Sequence, residues 1–318
     1  MTDILLVRLS SMGDLIHTYP ALTDLGRHFP DARVTWVCEE GFAELPPLHP
    51  LVKTTLPMAW RRWRKRLWQP AVWREMREFH ARLTFPRFDV VLDAQGLIKS
   101  AGVAHLARGL KGGFDRRSAR EGLAALAYDK TYAVPRGQHA VVRNRQLFAQ
   151  VFGYTPEGPV DLGLSPQAPL PDWAPTGDYA VLLPATSKAE KEWDEARWVT
   201  LGQALQARGL ALILPWGAAH EQARSQRLAQ HLPGAIVPPA RLSLHAAASL
   251  LKQARLTIGV DTGLTHLANA VDCPLVALYT HTDPGLTGVT PGPRACNLGG
   301  VGATIEVTQV LEAAQAWL

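Results

Sequence analysis

Residues 4–14, Ile4-Leu5-Leu6-Val7-Arg8-Leu9-Ser10-Ser11-Met12-Gly13-Asp14, decide the fold. An apolar run of strand length ends in small residues and a glycine, and helical spacing follows at Leu15, Ile16, Tyr19 and Leu22. This is a strand–loop–helix unit, the opening of an α/β domain. Its loop carries one carboxylate, Asp14, at the carboxyl end of the first strand, where open α/β sheets bind their ligands. Asp14 reads either as a helix N-terminal residue favoured by the helix dipole or as a group facing a ligand. A second loop of similar kind, far down the chain and complementary in chemistry, weighs toward the ligand.

The alternation continues outward from that unit. Strand-like runs occur at Ile4–Leu9, Val34–Cys38 and Val90–Leu92, with helical patterns between or after them. Such alternation implies a parallel sheet covered on both faces. Residues 155–177 hold six prolines and few periodic apolar residues, which is linker composition. A second alternation follows: Tyr179–Leu183, a helix near Trp193–Ala207, Ala211–Leu214, a helix near His220–His231, Leu256–Val260, a short helix from Leu264, and Leu275–Tyr279. The expected architecture is α/β, two Rossmann-like doubly wound domains facing across a cleft. The expected bounds are 1–160 for the first domain, 161–176 for the linker and 177–303 for the second domain. Residues 304–318 form a C-terminal helix able to pack back on the first domain.

At 318 residues, 47% apolar and 19% charged, the chain has ordinary globular composition and the length of two domains. Met1-Thr2-Asp3 leads into a strand-like run without a basic leader, and no apolar stretch reaches the roughly 18 residues of a membrane span. Cys38, Cys273 and Cys296 match no zinc or disulfide spacing. These features give a cytoplasmic expectation. The net charge of +5 hides an asymmetry: residues 1–160 carry 23 Lys/Arg against 15 Asp/Glu, a net of +8, and residues 161–318 carry 10 against 13, a net of −3. The first half therefore faces an anionic partner.

Three loops of the second half point to a nucleoside diphosphate. Asp261-Thr262-Gly263-Leu264-Thr265-His266 follows the strand Leu256–Val260 and opens a helix, whose N-terminal N–H groups and hydroxyls suit phosphate; a merely capped helix reads equally well in isolation. Pro184-Ala185-Thr186-Ser187-Lys188 follows another strand, and Lys191 can neutralise a departing diphosphate, although Glu190, Glu192, Asp194 and Glu195 also suit a solvated face. Pro215-Trp216-Gly217-Ala218-Ala219-His220-Glu221 brings a carboxylate that can accept both hydrogen bonds of a ribose diol. The absence of Gly-x-Gly-x-x-Gly after the first strand speaks against a dinucleotide oxidoreductase, and no Walker-type loop occurs. No Asp-x-Asp pair indicates a metal on the diphosphate, so neither metal nor cofactor is expected.

The basic half concentrates its charge in Trp60-Arg61-Arg62-Trp63-Arg64-Lys65-Arg66-Leu67-Trp68, five cations among three tryptophans. This pattern suits nucleic acid, an anionic membrane surface or an anionic glycolipid, or an amphipathic helix packing its tryptophans inward. Arg116, Arg117 and Arg120, then Arg143 and Arg145, form a second group, with Lys99 after Asp93-Ala94-Gln95-Gly96. Nucleic acid is disfavoured because Asp14 in the first loop would repel a phosphate backbone.

Together, Ser10–Asp14, Glu39-Glu40-Gly41-Phe42, Arg61–Lys65, Asp93–Leu97, Pro215-Trp216-Gly217, Asp261–Leu264 with His266, and Thr282-Asp283-Pro284-Gly285 resemble the bacterial lipopolysaccharide heptosyltransferases over nearly the whole chain. The arginine-rich tryptophan segment and the Gln-Gly-Leu segment favour the type acting on the inner Kdo over later-acting siblings. The resemblance implies a B-type glycosyltransferase fold, the first domain binding acceptor and the second ADP-heptose. It implies inverting transfer of L-glycero-D-manno-heptose to the inner Kdo of Kdo2-lipid A, at the cytoplasmic face of the inner membrane, with peripheral contact there. Asp14 falls on the family's catalytic base. Thr186, Ser187, Lys191, Glu221, Leu242, Asp261, Thr262, Gly263 and His266 fall on donor positions, with Ser187 where threonine is common and Leu242 where methionine is common. Arg61, Arg62, Arg64, Lys99, Arg120 and Arg143 fall on or near acceptor positions. Tyr279-Thr280-His281 departs from a more usual Tyr-Gly-Pro. The rival readings are a later-acting heptosyltransferase, a nucleotide-sugar hydrolase or epimerase of similar fold, and a non-catalytic basic protein.

Overall fold

The computed structural model describes residues 2–164, 168–186 and 189–318. The chain divides into two compact units, 1–164 and 165–318, a division inside the segment expected to link the domains.

The first unit holds six strands: β1 (Asp3–Val7), β2 (Arg33–Glu39), β3 (Val52–Met58), β4 (Arg87–Asp93), β5 (Arg108–Phe114) and β6 (Lys130–Tyr132). They form one parallel sheet in the order β3-β2-β1-β4-β5-β6. Ile4–Val7 is buried along its whole length, as a central parallel strand covered by helices on both faces requires. Leu5, Val7, Val37 and Val91 enter one core with Leu56, Trp63, Val72 and Leu83. The strand order reverses between β1 and β4, and the crevice for ligands in such sheets lies beside that reversal, at the carboxyl ends.

β3 and β5 escape the periodicity rules for identifiable reasons. β3 is an edge strand, exposing Lys53 and Thr54 and tolerating Pro57, which a central strand would not. β5 contains three glycines, and at Gly113 a Cβ would run into the ring of Tyr128 packed over it.

The second unit holds β7 (Tyr179–Leu183), β8 (Ala211–Ile213), β9 (Leu256–Val260), β10 (Leu275–Tyr279) and β11 (Ala295–Gly299), all parallel, in the order β11-β10-β9-β7-β8. β7, β9 and β10 are buried at every residue. Here the order reverses between β7 and β9, which pair from Ala180↔Leu256 to Leu183↔Gly259. A helix over Leu244–Gln253, absent from the sequence expectations, is capped by the Ser243 hydroxyl, which accepts from Ala246 N at 3.1 Å.

The C-terminal helix, Val307–Ala314, packs on the core of its own domain. Val310 and Ala314 are buried with Leu278, Ile305 and Trp198, and Trp317 and Leu318 cover the same core. Arg255 Nε donates to Trp317 O at 2.8 Å and fixes the chain end. The helix's apolar stripe needs a face to cover, and the adjoining sheet supplies one directly.

Candidate active site

In the first domain, the loops after β1 and β4 meet at the order reversal. Asp14 lies in a five-residue helix, Met12–Ile16. Its Oδ2 accepts from Ser11 N at 2.9 Å and from Ser11 Oγ at 3.1 Å, so the helix-terminal reading holds. Its Oδ1 meets Arg8 Nη2 at 3.0 Å and Arg120 Nη2 at 2.5 Å, so the carboxylate is also the centre of a charge cluster. Burial pushes the Asp14 carboxyl up, but the two guanidiniums and the Ser11 N–H outweigh it and hold the pKa well below the usual carboxylate range.

Arg8 is the partner that sequence reasoning missed. It is buried, its Nη1 donates to Ala94 O, and its own pKa is lowered by burial against the pull of Asp14. An arginine inside the apolar run Ile4–Leu9 was the available signal. Gln95 Oε1 accepts from Leu9 N at 2.6 Å, tying the two loops together. Asp93 anchors the β4 loop from beneath, accepting from Gln95 N, Gly96 N, Ser100 Oγ and Tyr128 OH, while burial raises its pKa. A small pocket lined by Arg8, Gln95, Phe114, Arg120, Ala140, Arg143 and Asn144 opens beside Asp14.

The basic residues expected to meet an acceptor separate into distinct situations. Arg120 and Arg143 line that pocket; Arg143 lies over the Phe114 ring at 4.8 Å and donates to Ser118 O at 2.7 Å. Lys99, half-buried, acts electrostatically on buried Glu39, whose pKa is raised by burial. Arg61 is exposed, 3.9 Å from Glu39 and over the Phe42 ring. Arg64 is exposed. Arg62 behaves otherwise: its guanidinium binds Glu40 at 3.0 Å and Glu75 at 2.8 Å, so its charge is already matched within the domain. The segment's tryptophans also divide. Trp63 is buried, donates to Glu75 and meets Phe79 edge-on, whereas Trp68 is 77% exposed.

In the second domain, the loops after β7 and β9 meet at the other reversal, centred on Asp261. Its Oδ2 binds Lys191 Nζ at 2.6 Å and accepts from Thr282 Oγ1 at 2.8 Å; His266 Nε2 lies 3.6 Å from Oδ1. Thr186 Oγ1 donates to Asp261 O at 3.0 Å. Burial raises the Asp261 pKa, but His266, Lys191 and Thr282 together pull it well below the ordinary range. Thr262 is the residue before the helix Gly263–Ala270, whose first N–H groups lack helical partners. Thr265 Oγ1 donates back to Val260 O and sits where a Cβ on Gly259 would go, so the glycine lets the helix begin close against its strand.

Three of the sequence readings acquire specific partners here. Lys191 is ion-paired with Asp261, so it is held in place at the loop and carries its own counter-charge. Glu221 Oε2 is occupied by the N–H groups of Gly217 at 2.7 Å and Ala218 at 2.9 Å, so this oxygen caps a helix and Oε1 alone is left outside those bonds. Of the acidic residues around Lys191, Glu192 and Glu195 bind the buried Arg224 and Asp194 caps the helix Glu195–Gln206, while Glu190 and Asp194 are exposed. Arg224 also donates to Pro184 O and Trp193 O, holding the β7 loop at both ends. Leu242 is half-buried one residue before the cap Ser243. Ser187 lies outside the described residues.

The sequence model of glycosyltransferase family 9 (heptosyltransferase) matches residues 76–312. The chain belongs to glycosyltransferase family 9. Lipopolysaccharide heptosyltransferase 1 of Pseudomonas aeruginosa is 48% identical over 287 residues, 90% of this chain and 80% of that protein. Among solved structures, the E. coli heptosyltransferase WaaC with ADP superposes at a TM-score of 0.91 with 39% identity, covering 99% of this chain and all of that one. The same enzyme with ADP-2-deoxy-2-fluoro heptose gives 0.88 and 38%, covering 99% of each chain. This family 9 member is thus a glycosyltransferase built of two Rossmann-like domains of the B-type fold. Among the described residues no helix is long and apolar enough to cross a membrane.

Proposed function

We propose that this chain transfers L-glycero-D-manno-heptose from ADP-heptose to the inner Kdo of Kdo2-lipid A, with inversion at the anomeric carbon. The observation that carries the reading is the Asp14 carboxylate, kept ionised by Arg8 and Arg120 at the ligand edge of a parallel sheet. The donor assignment is supported by the relative solved with an ADP-heptose analogue and by the Asp261 cluster.

In the proposed step the acceptor hydroxyl gives its proton to Asp14 as its oxygen bonds to the anomeric carbon. The bond from that carbon to the diphosphate breaks, and ADP leaves with the electron pair. Lys191 and the N–H groups opening the helix Gly263–Ala270 meet the charge that builds on the diphosphate. Asp261 orients the lysine, with Thr282 and His266 sharing the load. A carboxylate between two guanidiniums is a weak base. Arg120, on the exposed side, exchanges Asp14 for an acceptor carboxylate, so acceptor binding itself raises the basicity of Asp14. Arg61, Arg64, Lys99 and Arg143 add positive charge to the acceptor side, and the enzyme meets its lipid acceptor peripherally at the cytoplasmic face of the inner membrane.

A product assay with ADP-heptose and purified Kdo2-lipid A, with and without one heptose already on the acceptor, tests the reading. Transfer to the unsubstituted acceptor supports it. Transfer only to the heptosylated one reassigns the chain to a later step.

A further inference from the structure

The 3₁₀ helix Gly122–Ala127 is built inside out. Its repeat of three residues puts Leu123 and Leu126 on one side and Ala124 and Ala127 on another. The small side chains face inward, Ala124 being 2% exposed and packed with Ala101 and Tyr128. The two leucines face solvent at 60% and 83% exposure. A segment stabilised only by its own domain would bury the leucines, which return most on burial. They line a groove of about 850 Å³ with Gly122, Ala125, Arg116 and Arg117.

The groove's own lining carries two cations, Arg116 and Arg117, against one acid, Asp115, while the exposed Glu121 and Asp129 flank it with their carboxylates accepting the N–H groups of Ile98 and Lys111. Arg116, Arg117 and Lys130 are exposed; among the described residues neither arginine lies within salt-bridge distance of an acid, although Arg117 acts electrostatically on Asp115. Asp115, the acid in the groove, has its Oδ1 committed to the N–H groups of Arg117 at 3.1 Å and Ser118 at 2.7 Å. The segment is also fastened to the candidate active site. Glu121 N donates to Gly96 O at 2.9 Å, Ile98 N donates to Glu121 Oε2 at 2.6 Å, and Arg120 binds Asp14. Exposed leucines beside solvent-facing arginines are the chemistry of an interfacial membrane contact, apolar groups entering the acyl boundary and cations meeting anionic headgroups.

We infer that Leu123 and Leu126, flanked by Arg116 and Arg117, dock the first domain on an anionic bilayer surface, so that a lipid acceptor reaches Asp14 from within its own membrane. This rests on the proposed lipid acceptor and adds a docking surface distinct from the Trp60–Trp68 segment.

The test uses the full chain, flotation with vesicles, and two acceptors. Vesicles are phosphatidylcholine alone or phosphatidylcholine with phosphatidylglycerol. The parent protein should float with the anionic vesicles, and L123S/L126S should weaken that binding roughly tenfold or more. R116A/R117A should remove most of the preference for anionic over neutral vesicles. Turnover on a deacylated, water-soluble acceptor should be unchanged in L123S/L126S, while turnover on vesicle-embedded acceptor falls. If L123S/L126S lowers the melting temperature, the single variant L126S at the more exposed site carries the comparison. Equal vesicle binding by parent and variant, or no binding by the parent, overturns the inference. Failure of heptose transfer to the soluble acceptor instead overturns the proposed function and leaves the flotation result readable.

Discussion

Arg120 Nη2 lies 2.5 Å from Asp14 Oδ1, while Arg8 holds the same oxygen at 3.0 Å from the buried side. One carboxylate therefore answers two guanidiniums of opposite character, one fixed in the core and one at the surface. The first keeps Asp14 in place and ionised; the second is open to solvent, as the proposed exchange with an acceptor carboxylate requires. For the general base of the proposed step, which must be charged at rest and basic when needed, that division is suitable.

Asp14→Asn should lower turnover by roughly a hundredfold or more with the soluble acceptor, the scale of a lost general base. It should also lower the melting temperature, because buried Arg8 loses its ion-pair partner, a loss of order 3 kcal/mol. ADP affinity by calorimetry should be unchanged. Turnover within a few-fold of the parent would reduce Asp14 to a helix cap and ion-pair partner.

Arg120→Ala should raise the pKa of Asp14 by removing one of the two cations that depress it. The acid limb of the kcat/KM pH profile, which reports the free enzyme, should consequently move to higher pH, and the acceptor KM should rise. Identical acid limbs in parent and variant would separate Arg120 from the base.

Lys191→Ala should weaken ADP and ADP-sugar binding while leaving adenosine binding nearly unchanged, since the lysine is assigned to the diphosphate. Calorimetry with the three ligands separates the cases. An equal loss for adenosine would mean that the Lys191–Asp261 pair shapes the loop and does not bind phosphate.

Arg62→Ala and Arg64→Ala should behave differently despite their spacing of two. Arg62 is matched to Glu40 and Glu75, so its loss should cost at most about 1 kcal/mol of stability and leave acceptor KM in place. Arg64 is exposed, and its loss should raise acceptor KM by an amount that shrinks as salt rises. The opposite assignment in a titration of KM against ionic strength would show that the acceptor displaces Glu40 or Glu75.

His49 makes stability pH-dependent in the first domain. Burial lowers its pKa to about 4; its Nδ1 accepts from Leu51 N, and Nε2 lies 3.1 Å from Thr23 Oγ1. The unfolded chain binds this proton near pH 6.5 and the folded chain does not, so stability is full above about pH 6.5 and falls as the pH drops toward 4. The loss amounts to about 3 kcal/mol across that window. Denaturant melts of the parent and of H49Q at pH 7 and pH 4.5 should show a smaller difference for the variant.

The sequence by itself determined the class of each domain, because fully buried central strands must be written as unbroken apolar runs. Ile4–Val7, Tyr179–Leu183, Leu256–Val260 and Leu275–Tyr279 could be read from hydropathy alone. The loops that follow them were legible for the same reason, since Asp14, Thr186 and Asp261 sit where such runs stop. Edge and glycine-rich strands were not legible: β3 and β5 obtain their place from neighbours and not from periodicity. Tertiary structure alone decided which charges are free. Arg62 and Lys191 look like open cations in sequence, yet Glu75 stands thirteen residues from the first and Asp261 seventy from the second. Arg8 looks like an interruption of an apolar strand until Asp14 folds onto it. The outward leucines at 123 and 126 likewise became distinctive only when Ala124 was seen to fill the space inside. Hydropathy is a property of the residue, but the pairing of a charge and the side on which a leucine lies belong to the fold.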